Sequence, residues 1–547
     1  MKSVSKKLPN MNKYLRYHAF TFCILFCSLS CFAQDRANSE NNFLLNEQNQ
    51  LIDNYFIQHP NTQFHSSFRP YLFVTLKDFH DSLPSSKSIF FTKIRRANLE
   101  KFNSPCLVLP LVDLQSGYDI SRQKLFTEIG GGAMLRFNSG KNFTASITAL
   151  GGQATYPAFT DTVVKTFGIL PGMGIAYGNF DRYQWANFSG YLSYSTKNLF
   201  NFQIGKDKHF IGDGYRSLLL SDAANNYPYF RSTINIWNLQ YSCWYSWMQD
   251  IYHANGVRSD FLNKFGTFHY LSWNINKNLN ISLFENIIWQ GTDSNRVRIF
   301  DVNYLNPVIF FRPIEYSLGS SDNAFVGINF SWKLFKTLKL YAQAAADEFY
   351  VKEIRARKGW WANKQGVQAG MKYINAFRIK NLTLQGEINV VRPYTYSHGS
   401  PQQSYSHFNQ PLAHPFGANF KEAIGIISYR KGRWNFLLKG VVARIGRDSL
   451  SSTVSMGQNV MLSYINRPKL ANGNPQDYGH FIGQGVRTEY MQAEAKIAYY
   501  LVPEINLRVE AGCIYTQLQN EINGKQKFPF VYFAIRSSMH NFYRDFF

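Results

Sequence analysis

The chain has 547 residues, enough for two or three soluble domains or for one large barrel with an appendage, and carries a formal net charge of +23. Charged residues make up 17% and aromatic residues 17%, with 34 Tyr and 47 Phe, while mean hydropathy stays at -0.28. A bundle of membrane helices is excluded, because each span needs about 20 consecutive apolar residues; a transmembrane β-barrel fits, because only alternate residues of its strands meet lipid.

The N-terminus has the organisation of a secretory signal peptide over residues 1–33. Lys2, Lys6, Lys7, Lys13 and Arg16 precede an apolar run from Ala19 to Phe32, and Cys31-Phe32-Ala33 before Gln34 forms a small-residue cleavage site. The run is too short for a comfortable membrane anchor. A lipoprotein signal at Cys31 is disfavoured by Ser28-Leu29-Ser30, where the aliphatic residue sits one place too close. Cleavage leaves Cys106, Cys243 and Cys513, whose odd number and wide spacing speak against a disulfide framework or a zinc site.

Residues 34–120 are expected to form a separate N-terminal segment, periplasmic or plug-like. Leu44, Gln48, Leu51, Ile52 and Tyr55 recur at helical spacing, predicting a short amphipathic helix from Asn42 to Phe56 that Pro60 terminates. The stretch to Leu114 is interrupted by Pro and Ser and shows no clean period.

From about residue 121 to 547 the period is two, and this region is assigned to the barrel. Leu382, Leu384, Gly386, Ile388 and Val390 alternate with Asn381, Thr383, Gln385, Glu387 and Asn389; Val326 to Leu334, Leu338 to Ala344 and Phe143 to Ala149 behave alike. A soluble sandwich would alternate in the same way, so loop length carries the argument. Short turns at 138–142, 276–278, 335–337, 378–381, 431–433 and 503–504 alternate with long polar connections at 291–323, 349–364, 393–419 and 446–485. Short on one side and long on the other is the outer-membrane pattern, with the short turns periplasmic. Ten strands follow residue 279, and the region from 124 to 275 holds six to eight more. An antiparallel barrel with both ends on one side closes with an even number, hence 16 or 18, with 18 preferred. The final segment, Phe528 to Phe547, is aromatic-rich, and its terminal Phe547 is the expected signal for the barrel-insertion machinery.

Catalytic constellations are sparse. The Gly172–Gly178 cluster lacks the strand–helix context of a dinucleotide site. Ser397, His398, Ser400, His407 and His414 share one loop, but no spacing identifies a triad or a ligand set, and polar surface is the plainer reading. No catalytic residue, metal or cofactor is expected. The loop 349–364 is the candidate binding element. Arg355, Arg357 and Lys358, with Lys352 and Lys364, surround Trp360-Trp361, and indole faces stack on sugar rings while cations attract carboxylates or phosphates. An acidic polysaccharide suits it; an interfacial aromatic pair with cations against lipopolysaccharide is the equal alternative. A basic exported chain is expected to meet anionic envelope neighbours, outer-membrane lipids and lipopolysaccharide among them, and not nucleic acid.

Three segments carry a family resemblance. The run Gly205–Ala224, with Phe210-Ile211-Gly212-Asp213-Gly214 and Leu218-Leu219-Leu220-Ser221, resembles the glycine-rich segment of Wzi-like capsule-assembly outer-membrane proteins. The runs Tyr304–Asn323 and Gln410–Glu422 are similar to the versions found in Bacteroidota, among them the RemB-type protein associated with gliding motility. Where readily recognised members have Trp-Gly-Pro-Gly, this chain has Phe210 to Gly214. The resemblance implies an 18-stranded barrel with an N-terminal helical periplasmic part and a non-enzymatic role in holding or assembling surface polysaccharide. It also leaves open a part in gliding motility or surface adhesion, with motility or adhesin proteins as partners. Porin-like transport is a third alternative, since a barrel of this size can enclose an aqueous channel.

Overall fold

The computed structural model describes residues 37–81 and 106–545, apart from 43, 180–181, 197–198, 253, 255–256, 294–295, 299–303, 305, 307–321, 349, 450–452 and 538–539. Residues 1–33, expected to be a signal peptide, and Phe547, the expected insertion signal, lie outside the described residues.

Eighteen antiparallel strands close a barrel. In chain order they are β1 Cys106–Asp119, β2 Lys124–Ser139, β3 Phe143–Ala154, β4 Arg182–Thr196, β5 Phe200–Asp207 and β6 Tyr227–Ile236. Then come β7 Leu239–Asp250, β8 Leu262–Asn274, β9 Leu279–Gln290, β10 Asn323–Leu334, β11 Leu338–Ala346 and β12 Gln365–Ile374. The last six are β13 Leu382–Val391, β14 Phe420–Lys431, β15 Trp434–Arg447, β16 Val486–Val502, β17 Leu507–Asn520 and β18 Gly524–Arg536. Each pairs with the next, and β1 closes the ring on β18 from Asp113↔Arg536 to Asp119↔Phe530. The barrel thus begins at Cys106, ahead of the expected boundary at 121. Its last strand stops at Arg536, short of the expected end at 547.

The alternation has the physical meaning that the pattern suggested. Along β15, Phe436, Leu438 and Val442 face outward and are 40%, 53% and 52% exposed, while Asn435, Lys439 and Ala443 between them are buried in the lumen. Trp237, Phe335 and Phe377 occupy tips of short turns and are at least 71% exposed, an aromatic rim at one end of an apolar wall. No helix among the described residues is long and apolar enough to cross a membrane.

The lumen is filled from both ends. Helix α1, Asn46–Gln58, replaces the expected 42–56 helix and buries Ile52 and Phe56 against Phe64, Tyr71 and Leu76. It docks at the short-turn end, where Asn54 donates to Thr383 at 3.0 Å and Glu47 pairs with Lys496 at 2.6 Å. The described part of this segment packs against luminal side chains, as in the Lys372–Asp53 pair. Phe68–Arg69 pairs with Phe210–Ile211, so the segment is continuous with the 208–226 loop, which folds inward. The 392–419 loop enters as well, and Tyr396, Tyr405, Leu412 and Phe416 are inaccessible within one aromatic-rich core with Trp244 and Phe268.

Candidate functional site

Most of the resemblance-bearing segments 205–224 and 410–422 lies in the two inward loops as interior packing; 205–207 end β5 and 420–422 begin β14, where Lys206 and Lys421 are exposed. Leu218, Leu219 and Leu220 are fully buried. Most of the third segment, 304–323, lies outside the described residues. The loop histidines, expected at a polar surface, are buried too: His407 and His414 are at most 2% exposed and His398 is 9% exposed. Burial pushes His398 down to about 4 and His407 to about 3. Burial also lowers His414 against the pull of Glu422, so its Nε2–H donates to that carboxylate at 2.7 Å from a neutral ring. The sequence signal was misleading because a 28-residue polar connection reads as a surface loop, whereas here the barrel wall supplies its partners.

Ion pairs hold the filling in place. Lys339 on β11 meets Asp213 at 2.5 Å, and Lys372 on β12 meets Asp53 of α1 at 2.6 Å. Burial pushes the Asp53 carboxyl up, but Lys339, Lys372 and Arg69 outweigh it and hold the group below the ordinary carboxylate value. The C-terminal tail turns back into the barrel after β18. Asp545 reaches Arg216 at 3.1 Å and Lys439 at 2.8 Å, and accepts from the Tyr215 hydroxyl at 2.7 Å. Those partners overcome its burial and keep Asp545 ionised. Asn541 donates to the Leu44 carbonyl at 2.6 Å and to Asp222 at 2.8 Å, tying tail, N-terminal segment and inward loop together. Removing one partner of a buried ion pair leaves an uncompensated charge, so these contacts are structural. A luminal cavity of about 150 Å³ remains at the short-turn end between α1, the tail and β15–β18.

The candidate binding loop joins β11 to β12 at the long-loop end. Its first half is helix α2, Val351–Ala356, which projects Lys352 and Arg355 to solvent; Arg357 ends it in the left-handed region at φ 54°, and Arg357 and Lys358 are exposed. Trp360 and Trp361 then diverge in role. Trp361 lies 4.7 Å from the Tyr464 ring and has the Arg467 guanidinium 4.4 Å from its centroid. Trp360 is half-buried, with the exposed Tyr350 ring 6.4 Å away. Lys364 faces inward as a fully buried cation 3.3 Å from Glu348 and 4.1 Å over the Tyr464 ring.

A second loop braces the first. Gly479 N–H donates to the Lys358 carbonyl, His480 N–H to Gly359, and Trp361 N–H to Asp477, each at 2.9 Å. Arg392 donates to the carbonyls of Asn363 at 2.7 Å and Trp360 at 3.2 Å. The structure therefore gathers Arg355, Arg357 and Lys358 on one exposed surface with Lys352 and Tyr350, sets the half-buried Trp360 and Trp361 beside them with Trp361 against Tyr464 and Arg467, and assigns Lys364 to packing. Tyr464, Arg467 and the 477–480 strip escaped sequence reasoning, since a hundred residues separate them from the loop that they support. Among the described residues no group of three or more His, Cys, Asp or Glu could hold a metal ion.

No family model and no curated protein matches this sequence. Solved structures do match. The *Escherichia coli* outer-membrane protein Wzi, described as involved in group 1 capsule assembly and as a carbohydrate-binding β-barrel, aligns over 91% of this chain and 99% of its own, with a TM-score of 0.54 at 12% identity. *Pseudomonas aeruginosa* OprD aligns over 78% of this chain and 94% of its own, with a TM-score of 0.41 at 10% identity. At these identities the likeness is one of fold: the chain is a closed 18-stranded barrel of the architecture seen in Wzi.

Proposed function

We propose that this chain is a non-enzymatic outer-membrane barrel that holds or helps assemble acidic surface polysaccharide through the 347–364 loop. The observation that carries the reading is the exposed set Lys352, Arg355, Arg357 and Lys358 beside Trp360 and Tyr350, on a loop braced at the long-loop end of a filled barrel. Fixed cations beside an accessible indole suit a glycan that offers carboxylates and sugar faces, and bracing lowers the entropy lost on binding. The outward apolar wall and aromatic rim support an outer-membrane location. Export through residues 1–33 and insertion through Phe547 belong to the same reading. The description of Wzi as a carbohydrate-binding barrel in capsule assembly agrees with it. The filled lumen disfavours porin-like transport.

The test is a clean deletion in the native host, with cell-bound and released polysaccharide measured separately. Shedding of glycan into the medium supports the proposal. Unchanged retention sinks it, and loss of colony spreading in the same strain would transfer the role to gliding or adhesion.

A further inference from the structure

The outward wall of β13–β18 differs from a plain lipid-facing surface in two respects that lie directly above one another. A cross-strand row runs Gly386↔Gly425↔Gly440↔Ala493↔Tyr515↔Pro529. A side chain added at Gly425 or Gly440 would meet nothing within 4 Å. From Gly425 to Pro529 the row floors an apolar depression of about 650 Å³, walled by Ile427, Leu438, Ala495, Cys513 and Val531.

Four residues toward the long-loop end, the same strands carry the row Lys421↔Arg444↔Glu489↔Gln519↔Lys525, with Lys527 one outward position below it and Arg487 one above. Side chains of one face recur every second residue, so these positions share the outward face with Gly425 and Gly440. Arg444 and Arg487 are 50% and 52% exposed and both lean on Glu489, at 2.8 and 3.0 Å. Five cations thus meet one carboxylate on this ledge. At about 3.3 Å per residue the ledge stands about 13 Å along the strand from the groove, or about 10 Å along the membrane normal at a strand tilt near 40°. That is the spacing between a lipid's anionic head and the upper part of its acyl chains.

The geometry points to a specific site for a phosphorylated glycolipid of the outer leaflet, with phosphate on Lys421, Arg444, Arg487, Lys525 and Lys527 and an acyl chain across Gly425 and Gly440. Charge complementarity selects an anionic lipid over a second copy of this chain, whose own ledge would repel this one. The inference rests on the outer-membrane reading but not on glycan binding by the 347–364 loop.

Native mass spectrometry of the full-length protein, purified in neutral detergent and given *bis*-phosphorylated lipid A, dephosphorylated lipid A or phosphatidylethanolamine, tests it. One *bis*-phosphorylated lipid A should stay bound per barrel, with at least tenfold lower occupancy by the other two. Lys421→Gln with Arg444→Gln should lose the phosphate preference, and Gly440→Leu should lower occupancy by every lipid A form. Equal retention of all three lipids, retention unchanged in the double variant, or a stable dimer in place of the lipid adduct would overturn the site. Heat-modifiable migration in gels shows which variants are folded. The wild-type comparison among lipids needs no variant, and a failed outer-membrane reading would show separately as absence of the protein from the outer-membrane fraction.

Discussion

Lys339 lies in the lumen, with a side chain 1% exposed and 2.5 Å from Asp213, whereas Lys358 stands in solvent at the tip of a braced loop. The same contrast separates Arg216, with Asp545 and Glu422 around it, from Arg355 and Arg357. Inside the barrel, desolvation makes an unpaired charge costly, so Arg216, Lys339, Lys372 and Lys439 are matched by carboxylates of plug, loop and tail, while Arg231 lies over the Phe68 ring of the plug. Outside, water supports the charge and leaves it free for a ligand. The barrel's cations therefore divide into those that fold the protein and those able to bind with it.

The largest expected effect breaks the inside half of that comparison. Arg216→Met leaves Asp545 and Glu422 buried together without their guanidinium, and should cost about 3–5 kcal/mol of unfolding free energy in detergent, read from the urea midpoint. Glycan retention should fall only as folded protein is lost. Next, Arg355→Gln, Arg357→Gln and Lys358→Gln combined should weaken binding of an acidic polysaccharide about tenfold, or about 1.4 kcal/mol, with an unchanged urea midpoint. The wild-type affinity should also fall with added salt as surface charges are screened.

The adjacent tryptophans sharpen the same distinction. Trp360→Ala should reduce binding without loosening the loop, and Trp361→Ala should expose the 347–364 segment to limited proteolysis by removing the surface packed on Tyr464 and Arg467. Equal proteolysis of both variants would contradict the assignment of roles. Acid should act on the lumen. Glu47 sits at about 2 because Lys496 and Arg508 outweigh the upward push of its burial. Its folded value is depressed, so its stabilisation is fully present above the unfolded value of about 4.3 and is lost as pH falls toward 2. The urea midpoint should drop across that window, and less steeply in Glu47→Gln. The smallest effect is expected at the surface, where Arg122→Gln removes a 2.8 Å pair to Asp161 from a side chain 41% exposed and should cost at most about 0.5 kcal/mol.

Strand existence was legible wherever the two faces differ chemically, as in β13, and turns were legible where Asn, Gly or Pro punctuates them, as at 431–433 and 503–504. Strand β1 escaped because both of its faces are apolar near its start: Leu107, Leu109 and Leu111 point inward while Val108 is 51% exposed, so no alternation exists to be read. The β6–β7 turn escaped because its tip is Trp237, 85% exposed in the aromatic rim rather than polar. The candidate loop was legible as a local cluster of cations and indoles. Its division into a binding face and a braced face was not, because Tyr464, Arg467 and the 477–480 backbone reach it across the barrel mouth.

By itself, then, the sequence determined the barrel, its side-chain alternation, its even strand number and the cationic character of one long loop, all of which follow from periods and polarities within a few residues. Tertiary structure alone decided that the lumen is filled, that the histidine loop is interior, and that the tail after Arg536 returns to Arg216 and Lys439. Those outcomes depend on charges distant in sequence finding one another once the wall has closed and excluded water, and no local pattern encodes that pairing.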